Sequence, residues 1–179
     1  MNLKEYIRSI PDYPKKGILF RDITTLIKNE NAFAETINQI VERSKKIEFN
    51  KIAAVESRGF VFASAISYIL KKPLVLLRKK NKLPAETYSV DFELEYGEAT
   101  IEVHRDSISK GEKILVIDDL IATGGTAEAA AKFVAWLGEY DQARHWYTHR
   151  MAIPAHAQIQ AEGIDYSEAG ASEAVSNAL

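Results

Sequence analysis

Apolar and polar positions along this chain follow two different periods, and each change of period marks an element. From Asn31 to Ile47 the apolar residues Phe33, Ile37, Ile40 and Val41 recur at helical spacing with charges between them, which predicts an amphipathic helix. Lys51 to Glu56 (KIAAVE) then reads as a short buried strand. Gly59 to Leu70 is apolar nearly all round, with Phe60, Phe62, Ile66, Ile69 and Leu70, and reads as a helix buried against a sheet. Pro73 to Leu77 (PLVLL) supplies the next strand. Strand, helix and strand in this order call for parallel strands joined by a right-handed crossover.

The period switches to two from Tyr88 to Glu95, where Tyr88, Val90, Phe92 and Leu94 alternate with Ser89, Asp91, Glu93 and Glu95. Ala99 to Val103 alternates as well, and Gly97 lies between the two runs, so an antiparallel hairpin projecting from the main sheet is expected. Lys113 to Asp118 (KILVID) predicts a third central strand, and Gly124 to Leu137 a helix ended by Gly138. The architecture these elements imply is α/β: an open, mainly parallel sheet flanked by helices on both faces. No internal repeat or long linker divides it.

Composition narrows the chemistry. At 179 residues the chain makes one domain, 1–179, and with 46% hydrophobic residues it can bury a core without staples. Cysteine is absent, which removes thiol nucleophiles, cysteine-based zinc sites and disulfides, and fits a reducing compartment. Lys and Arg number 23 against 25 Asp and Glu, a net charge of -2, so nothing global attracts nucleic acid or an anionic membrane. Any anion site is therefore local. No apolar run approaches the roughly 20 residues of a membrane helix, and Met1 is followed by Asn2, Lys4 and Glu5 rather than a hydrophobic leader. A soluble cytoplasmic protein is expected.

The most informative stretch is Ile114 to Thr126, ILVIDDLIATGGT: a buried strand, adjacent carboxylates, a turn of small residues and a helix start. Ligands of open α/β sheets bind where strands end and helices begin. Ala122, Thr123, Gly124, Gly125 and Thr126 let the backbone wrap closely and offer N–H groups and two hydroxyls to a phosphate. Asp118 and Asp119 would repel a phosphate but accept hydrogen bonds from sugar hydroxyls, so the loop suits a phosphorylated sugar. Neither G-x-x-x-x-G-K-[ST] nor G-x-G-x-x-G occurs, which leaves ATPase and dinucleotide sites without support.

The segment IDDLIATGGT resembles the phosphoribosyl-pyrophosphate loop of type I phosphoribosyltransferases. PDYPKKGILFRDIT (Pro11 to Thr24), ESRGF (Glu56 to Phe60), LRKKNKLP (Leu77 to Pro84) and LEYG (Leu94 to Gly97) are similar, in order and spacing, to segments of the adenine phosphoribosyltransferase family. The resemblance covers about residues 6–137. It implies an N-terminal hood over 1–35, a core over 36–137 and a lid hairpin over about 79–103. It also implies the reaction of adenine with phosphoribosyl pyrophosphate to give AMP and pyrophosphate, magnesium held mainly through the substrate, and a homodimer.

Displacing pyrophosphate from C1 of ribose builds positive charge on the sugar and negative charge on the leaving group, so cations should gather at the pyrophosphate. Arg58, Arg78, Lys79 and Lys82 are the candidates, and the family resemblance places Ser57 and Arg58 in a tight turn with a non-proline cis peptide. Each of these bases, taken singly, is also readable as a solvated surface charge. By the same resemblance Glu95 is the lid glutamate that protonates or hydrogen-bonds the purine, Arg58 and Lys82 share the catalytic work, and Tyr96 and Gly97 form a hinge. Leu19, Phe20 and Arg21 match the hood over the base, with Leu120 closing its other side. Backbone readout of a base leaves no side-chain signature. The same reaction on hypoxanthine, guanine or xanthine, and a non-catalytic sensor of phosphoribosyl pyrophosphate, stay open as alternatives.

After Leu137 the sequence departs from the family's pattern. Residues 138–179 are Ala-rich, and their few β-branched residues, Thr148, Ile153, Ile159, Ile164 and Val175, do not build a strand. His145 and His149 stand four apart with His156 nearby, the spacing of a helical metal pair, but no carboxylate pattern accompanies them. Trp146 and Tyr147 beside them read as packing residues.

Overall fold

Strand β3 (Lys51–Val55) is an interior strand of the sheet and has both faces buried. In the computed structural model the described residues are 1–94 and 97–120, with 92–94 and 97–98 described in backbone only, together with Thr126, Ala129, Ala130, Phe133, Val134 and Leu137. β3 pairs in parallel with β4 (Leu74–Lys79) on one side and with β7 (Ile114–Ile117) on the other. Alternate residues of β3 enter two separate cores. Ile52 and Ala54 pack with Leu115 and Ile117 under helices α1 (Thr24–Ile27), α2 (Glu30–Ser44) and α3 (Arg58–Leu70). Ala53 and Val55 pack with Ile114 and Val116 against Ala130, Phe133 and Val134, which are helical. A strand buried on both faces reads as a continuous apolar run, and KIAAV and ILVI are such runs.

Helices α2 and α3 form where the periodicity places them, α2 ending at Ser44 rather than Ile47, while no periodicity predicted the short α1. Asn29 caps α2, its Oδ1 accepting from the Ala32 N–H at 2.9 Å. The buried face of α2 holds Ala32, Thr36, Ile37, Ile40, Val41 and Ser44, and the two hydroxyls are satisfied by the carbonyls of Ala32 and Ile40 at 2.8 Å each. α3 ends at Lys71, which adopts φ 53 and donates its N–H to the Ser67 carbonyl.

The hairpin is formed by β5 (Thr87–Leu94) and β6 (Gly97–His104). β6 joins β4 through the antiparallel pairs Arg78↔Glu102 and Lys79↔Ile101, so the sheet order is β5-β6-β4-β3-β7. Three parallel strands thus form the core and two antiparallel ones extend it, making the whole sheet mixed. Residues 97–100 of β6 run on past β4, which is how the hairpin projects. Gly97 does not separate the two runs; it is the first residue of β6 and pairs with Leu94. The strand therefore begins two residues before the alternation at Ala99 announces it, because Gly97 and Glu98 are poor strand formers.

A second, two-stranded sheet precedes the core: β1 (Arg8–Pro11) and β2 (Leu19–Asp22) pair antiparallel, with Ile10 opposite Phe20. No alternation predicted it, since seven of its eight residues are exposed or half-buried. The buried Asp22 anchors it to α1, accepting from the Thr24 N–H at 2.9 Å and from Arg8 Nε at 3.0 Å. Those hydrogen bonds, Thr24 first and Arg8 second, hold the Asp22 carboxyl down at about 2. The expectations for 138–179, His145, His149 and His156 included, lie outside the described residues.

Candidate active site

The three parallel strands point the same way, so β3, β4 and β7 deliver their C-terminal ends to one edge of the sheet. Val55, the last residue of β3, pairs with Leu77 of β4, and one position beyond them stand Glu56 and, still within β4, Arg78. Asp118 and Asp119 follow β7 in the same place. This is the crevice in which open α/β sheets bind ligands.

Two carboxylates crowd the β7 end. Asp118 is half-buried and Asp119 is 3% exposed, and the Asp119 N–H donates to Asp118 Oδ1 at 2.8 Å. Burial, and then the charge of Asp119, push the Asp118 carboxyl up from 3.8 to about 7. Asp119 Oδ2 is buried with no aligned hydrogen-bond donor among the described residues. Its charge is met by Arg58 Nε at 3.0 Å. The guanidinium of Arg58 in turn lies 5.5 Å from the ring centre of Phe20, and Tyr13 packs edge-on against the same ring at 5.2 Å. Phe20, Arg58 and Asp119 therefore link the N-terminal hairpin, the start of α3 and the end of β7.

The turn between β3 and α3 carries the cis peptide bond at Glu56–Ser57, where the family resemblance places one. Ser57 is exposed at the N-cap of α3, and its side chain makes no cap hydrogen bond. Gly59 was unassigned by the sequence reading and is essential to the packing. A Cβ there would sit 2.9 Å from the Ile117 carbonyl oxygen and 3.2 Å from Asp118 Cα, so only glycine lets α3 approach the carboxylate pair this closely.

Cations flank the crevice on the β4 side. Arg78 donates Nε to Glu56 Oε2 at 3.2 Å and Nη1 to the Lys82 carbonyl at 3.0 Å, while the Lys79 N–H reaches the same Glu56 oxygen at 2.8 Å. Burial alone would raise the Glu56 carboxyl, but the Lys79 N–H and Arg78 outweigh it and hold it below the usual range. Lys79 and Lys82 are exposed. Glu56 and Glu102, the latter 8% exposed and accepting the Asn81 N–H at 2.9 Å, were missed as site residues. Glu56 stands within the ESRGF segment; Glu102 sits in an alternating strand and gives no signal.

Of the hood residues, Phe20 is half-buried at the site, Leu19 is exposed, and Arg21 donates to Ser9 Oγ within the hairpin. Leu120 is half-buried directly after Asp119, and Thr126 is half-buried and helical. Glu95, Tyr96, Ala122, Thr123, Gly124 and Gly125 lie outside the described residues.

Residues 22–138 match the family model for the phosphoribosyl transferase domain. The chain belongs to the phosphoribosyl transferase family. Within that family it is 78% identical over 134 residues to the adenine phosphoribosyltransferase of Pelagibacter ubique (strain HTCC1062), covering 75% of this chain and 77% of that protein. The crystal structure of adenine phosphoribosyltransferase from Thermoanaerobacter pseudethanolicus superposes with a TM-score of 0.73 at 46% identity, over 76% of this chain and 79% of that one. The Saccharomyces cerevisiae enzyme, complexed with D-2,5-dideoxy-2,5-imino-altritol 1,6-bisphosphate and adenine, superposes with a TM-score of 0.70 at 34% identity over 76% and 80%. The phosphoribosyl transferase match ends at residue 138, where the sequence leaves the family's pattern.

Proposed function

We propose that this phosphoribosyl transferase converts adenine and 5-phosphoribosyl 1-pyrophosphate to AMP and pyrophosphate. The C1–oxygen bond to pyrophosphate breaks, a bond from C1 to N9 of adenine forms, and N9 gives up its proton. The observation that carries the reading is the crowded Asp118–Asp119 pair at the end of β7, with one buried oxygen that among the described residues meets Arg58 but no aligned hydrogen-bond donor. Such a pair is an acceptor in want of hydroxyl donors, and the 2- and 3-hydroxyls of ribose are that partner.

The other roles are those the family resemblance implies. Ala122 to Thr126 hold the 5-phosphate through backbone N–H groups and hydroxyls. Arg58, Lys79 and Lys82, with Ser57 and Arg78 beside them, face the pyrophosphate, where negative charge develops as it leaves. Phe20 stacks on the base, Leu19 and Arg21 present backbone groups to its edge, and Leu120 closes the opposite side. Glu95 hydrogen-bonds or protonates the purine, and the closed hairpin excludes water from the cationic sugar.

The oxygen donors at the β7 end also suit a magnesium ion, a hard cation. Asp118 and Asp119 would hold it, mainly through phosphoribosyl pyrophosphate. When bound, magnesium neutralises the leaving pyrophosphate. A cytoplasmic homodimer belongs to the same reading; among the described residues no helix is long and apolar enough to cross a membrane.

The test is an assay of the full chain for magnesium-dependent AMP formation, with hypoxanthine and guanine as competing bases. AMP from adenine, undiminished by either competitor, is the expected result. A folded chain that forms no AMP and binds no phosphoribosyl pyrophosphate in calorimetry overturns the reading. Glu95→Gln is expected to lower kcat with little change in KM for either substrate; unchanged kcat removes its acid role.

A further inference from the structure

Glu102 is a buried carboxylate on the hairpin that none of the roles above uses. Its place in the sheet is specific. The register sets Glu102 of β6 directly across from Arg78 of β4 and, on its other side, across from Ser89 of β5. Glu56 stands one position past the Val55↔Leu77 pair, beside Arg78 on the β3 side. Across three strands the row therefore reads Glu56, Arg78, Glu102, a cation between two anions. Arg78 pairs with Glu56, while Glu102 meets the segment after Arg78 through the Asn81 N–H.

Both anions hold the same piece of backbone. Glu56 takes the Lys79 N–H at 2.8 Å, and Glu102 takes the Asn81 N–H at 2.9 Å. Arg78 closes the turn by donating to the Lys82 carbonyl at 3.0 Å. Asn81 has φ 63, the left-handed conformation that a tight turn needs and that Asn tolerates better than most residues. The exposed lysines at 79, 80 and 82 ride on this turn, so their placement is set by two carboxylates and one guanidinium.

We propose that Glu102 is a positioning residue for the pyrophosphate-binding cations: by holding the Asn81 N–H it fixes the Lys79–Lys82 turn to the hairpin, so that turn and hairpin move together. The proposal rests on the phosphoribosyl transfer described above. Glu102 touches no substrate; it acts through the lysines the turn carries. A hydrogen bond to a charged acceptor is worth roughly tenfold or somewhat more in an equilibrium constant.

The experiment compares wild type, Glu102→Ala, Glu102→Gln and Asn81→Val in steady-state kinetics and in amide hydrogen exchange at Asn81. Glu102→Ala is expected to raise KM for phosphoribosyl pyrophosphate about tenfold, leave KM for adenine within about twofold, and release the Asn81 amide to fast exchange. Glu102→Gln keeps a side-chain oxygen acceptor and restores KM to within about threefold of wild type. Asn81→Val changes an exposed residue whose left-handed backbone a β-branched side chain resists, and it raises the same KM even where Glu102→Ala does not fold. Combining it with a foldable Glu102→Ala adds nothing further. A general loss of folded protein would lower kcat without moving that KM. The proposal is overturned by an unprotected Asn81 amide in wild type. Phosphoribosyl-pyrophosphate KM values unchanged in Asn81→Val, or Glu102→Gln as impaired as a folded Glu102→Ala, overturn it equally. Wild type that neither forms AMP nor binds phosphoribosyl pyrophosphate would instead overturn the proposed function, and the exchange measurement still decides whether Glu102 holds the turn.

Discussion

The carboxylates at the ends of β3 and β7 stand at the same edge of one sheet and are treated in opposite ways. Glu56 is satisfied: a backbone N–H and a guanidinium reach one of its oxygens, and its carboxyl titrates below the ordinary range. Asp118 is driven up to about 7 by burial and by its neighbour, and Asp119 keeps a buried oxygen that meets Arg58 Nε at 3.0 Å but, among the described residues, no aligned hydrogen-bond donor. A protein invests polar satisfaction where it wants rigidity and leaves it incomplete where a ligand is to complete it. On the proposed function, Glu56 is scaffold for the Arg78–Lys82 turn, and the Asp118–Asp119 pair is the receptor.

The sharpest way to break the contrast is Asp119→Asn, which removes the buried charge opposite Arg58. We expect kcat/KM for phosphoribosyl pyrophosphate to fall about 100-fold, with the folded state retained. A loss under threefold in steady-state kinetics would place Asp119 with the scaffold. Next in size is Gly59→Ala, which drives a methyl group into the Ile117 carbonyl at 2.9 Å. Overpacking of this kind costs about 1–3 kcal/mol, and denaturant titration is expected to show it together with weakened substrate binding, since the backbone that must yield carries Asp118. Substrate binding unchanged in Gly59→Ala would show that the carboxylate pair tolerates a shift of its support.

The smallest effect is titration. The Asp118 carboxyl rises from 3.8 to about 7 on folding, so the folded state holds its proton more tightly than the unfolded chain. Its contribution to stability is complete below about pH 4 and is lost as pH rises toward about 7. The sign for Glu56 is opposite: its lowered carboxyl contributes at neutral pH, and the contribution is lost on acidification. Because an ionised carboxylate accepts sugar hydroxyls more strongly than a protonated one, affinity for phosphoribosyl pyrophosphate is expected to strengthen as pH rises through about 7. Asp118→Asn should flatten that dependence in calorimetry; a pH profile shared by both proteins would trace it to another group.

Much of this arrangement is legible in the amino-acid order because its carriers are local. KIAAV, PLVLL and ILVI are mostly apolar runs that mark buried strands, and the carboxylates Asp118 and Asp119 directly after ILVI mark the strand end where Asp119 meets Arg58. The N-terminal hairpin escaped because its strands bury almost nothing, and the start of β6 because Gly97 and Glu98 carry no strand preference. Glu102 and Gly59 escaped for a different reason. Their partners, Asn81 and Ile117, lie 21 and 58 residues away, and only the closed sheet brings them into reach. Residues whose work is done beside their chain neighbours announce themselves; those that act across the fold do not.

The two-sided burial of β3 makes adjacent alanines into independent levers. Ala54 abuts the layer of α1, α2 and α3, while Ala53, next along, abuts the layer of Phe133. Enlarging one would push on a single flank of the molecule and spare the other. Stepping a bulky side chain along the strand by one residue would therefore tilt the Glu56–Arg58 turn at its end in opposite senses, giving an engineer a steering control for the catalytic edge that leaves every residue lining it intact.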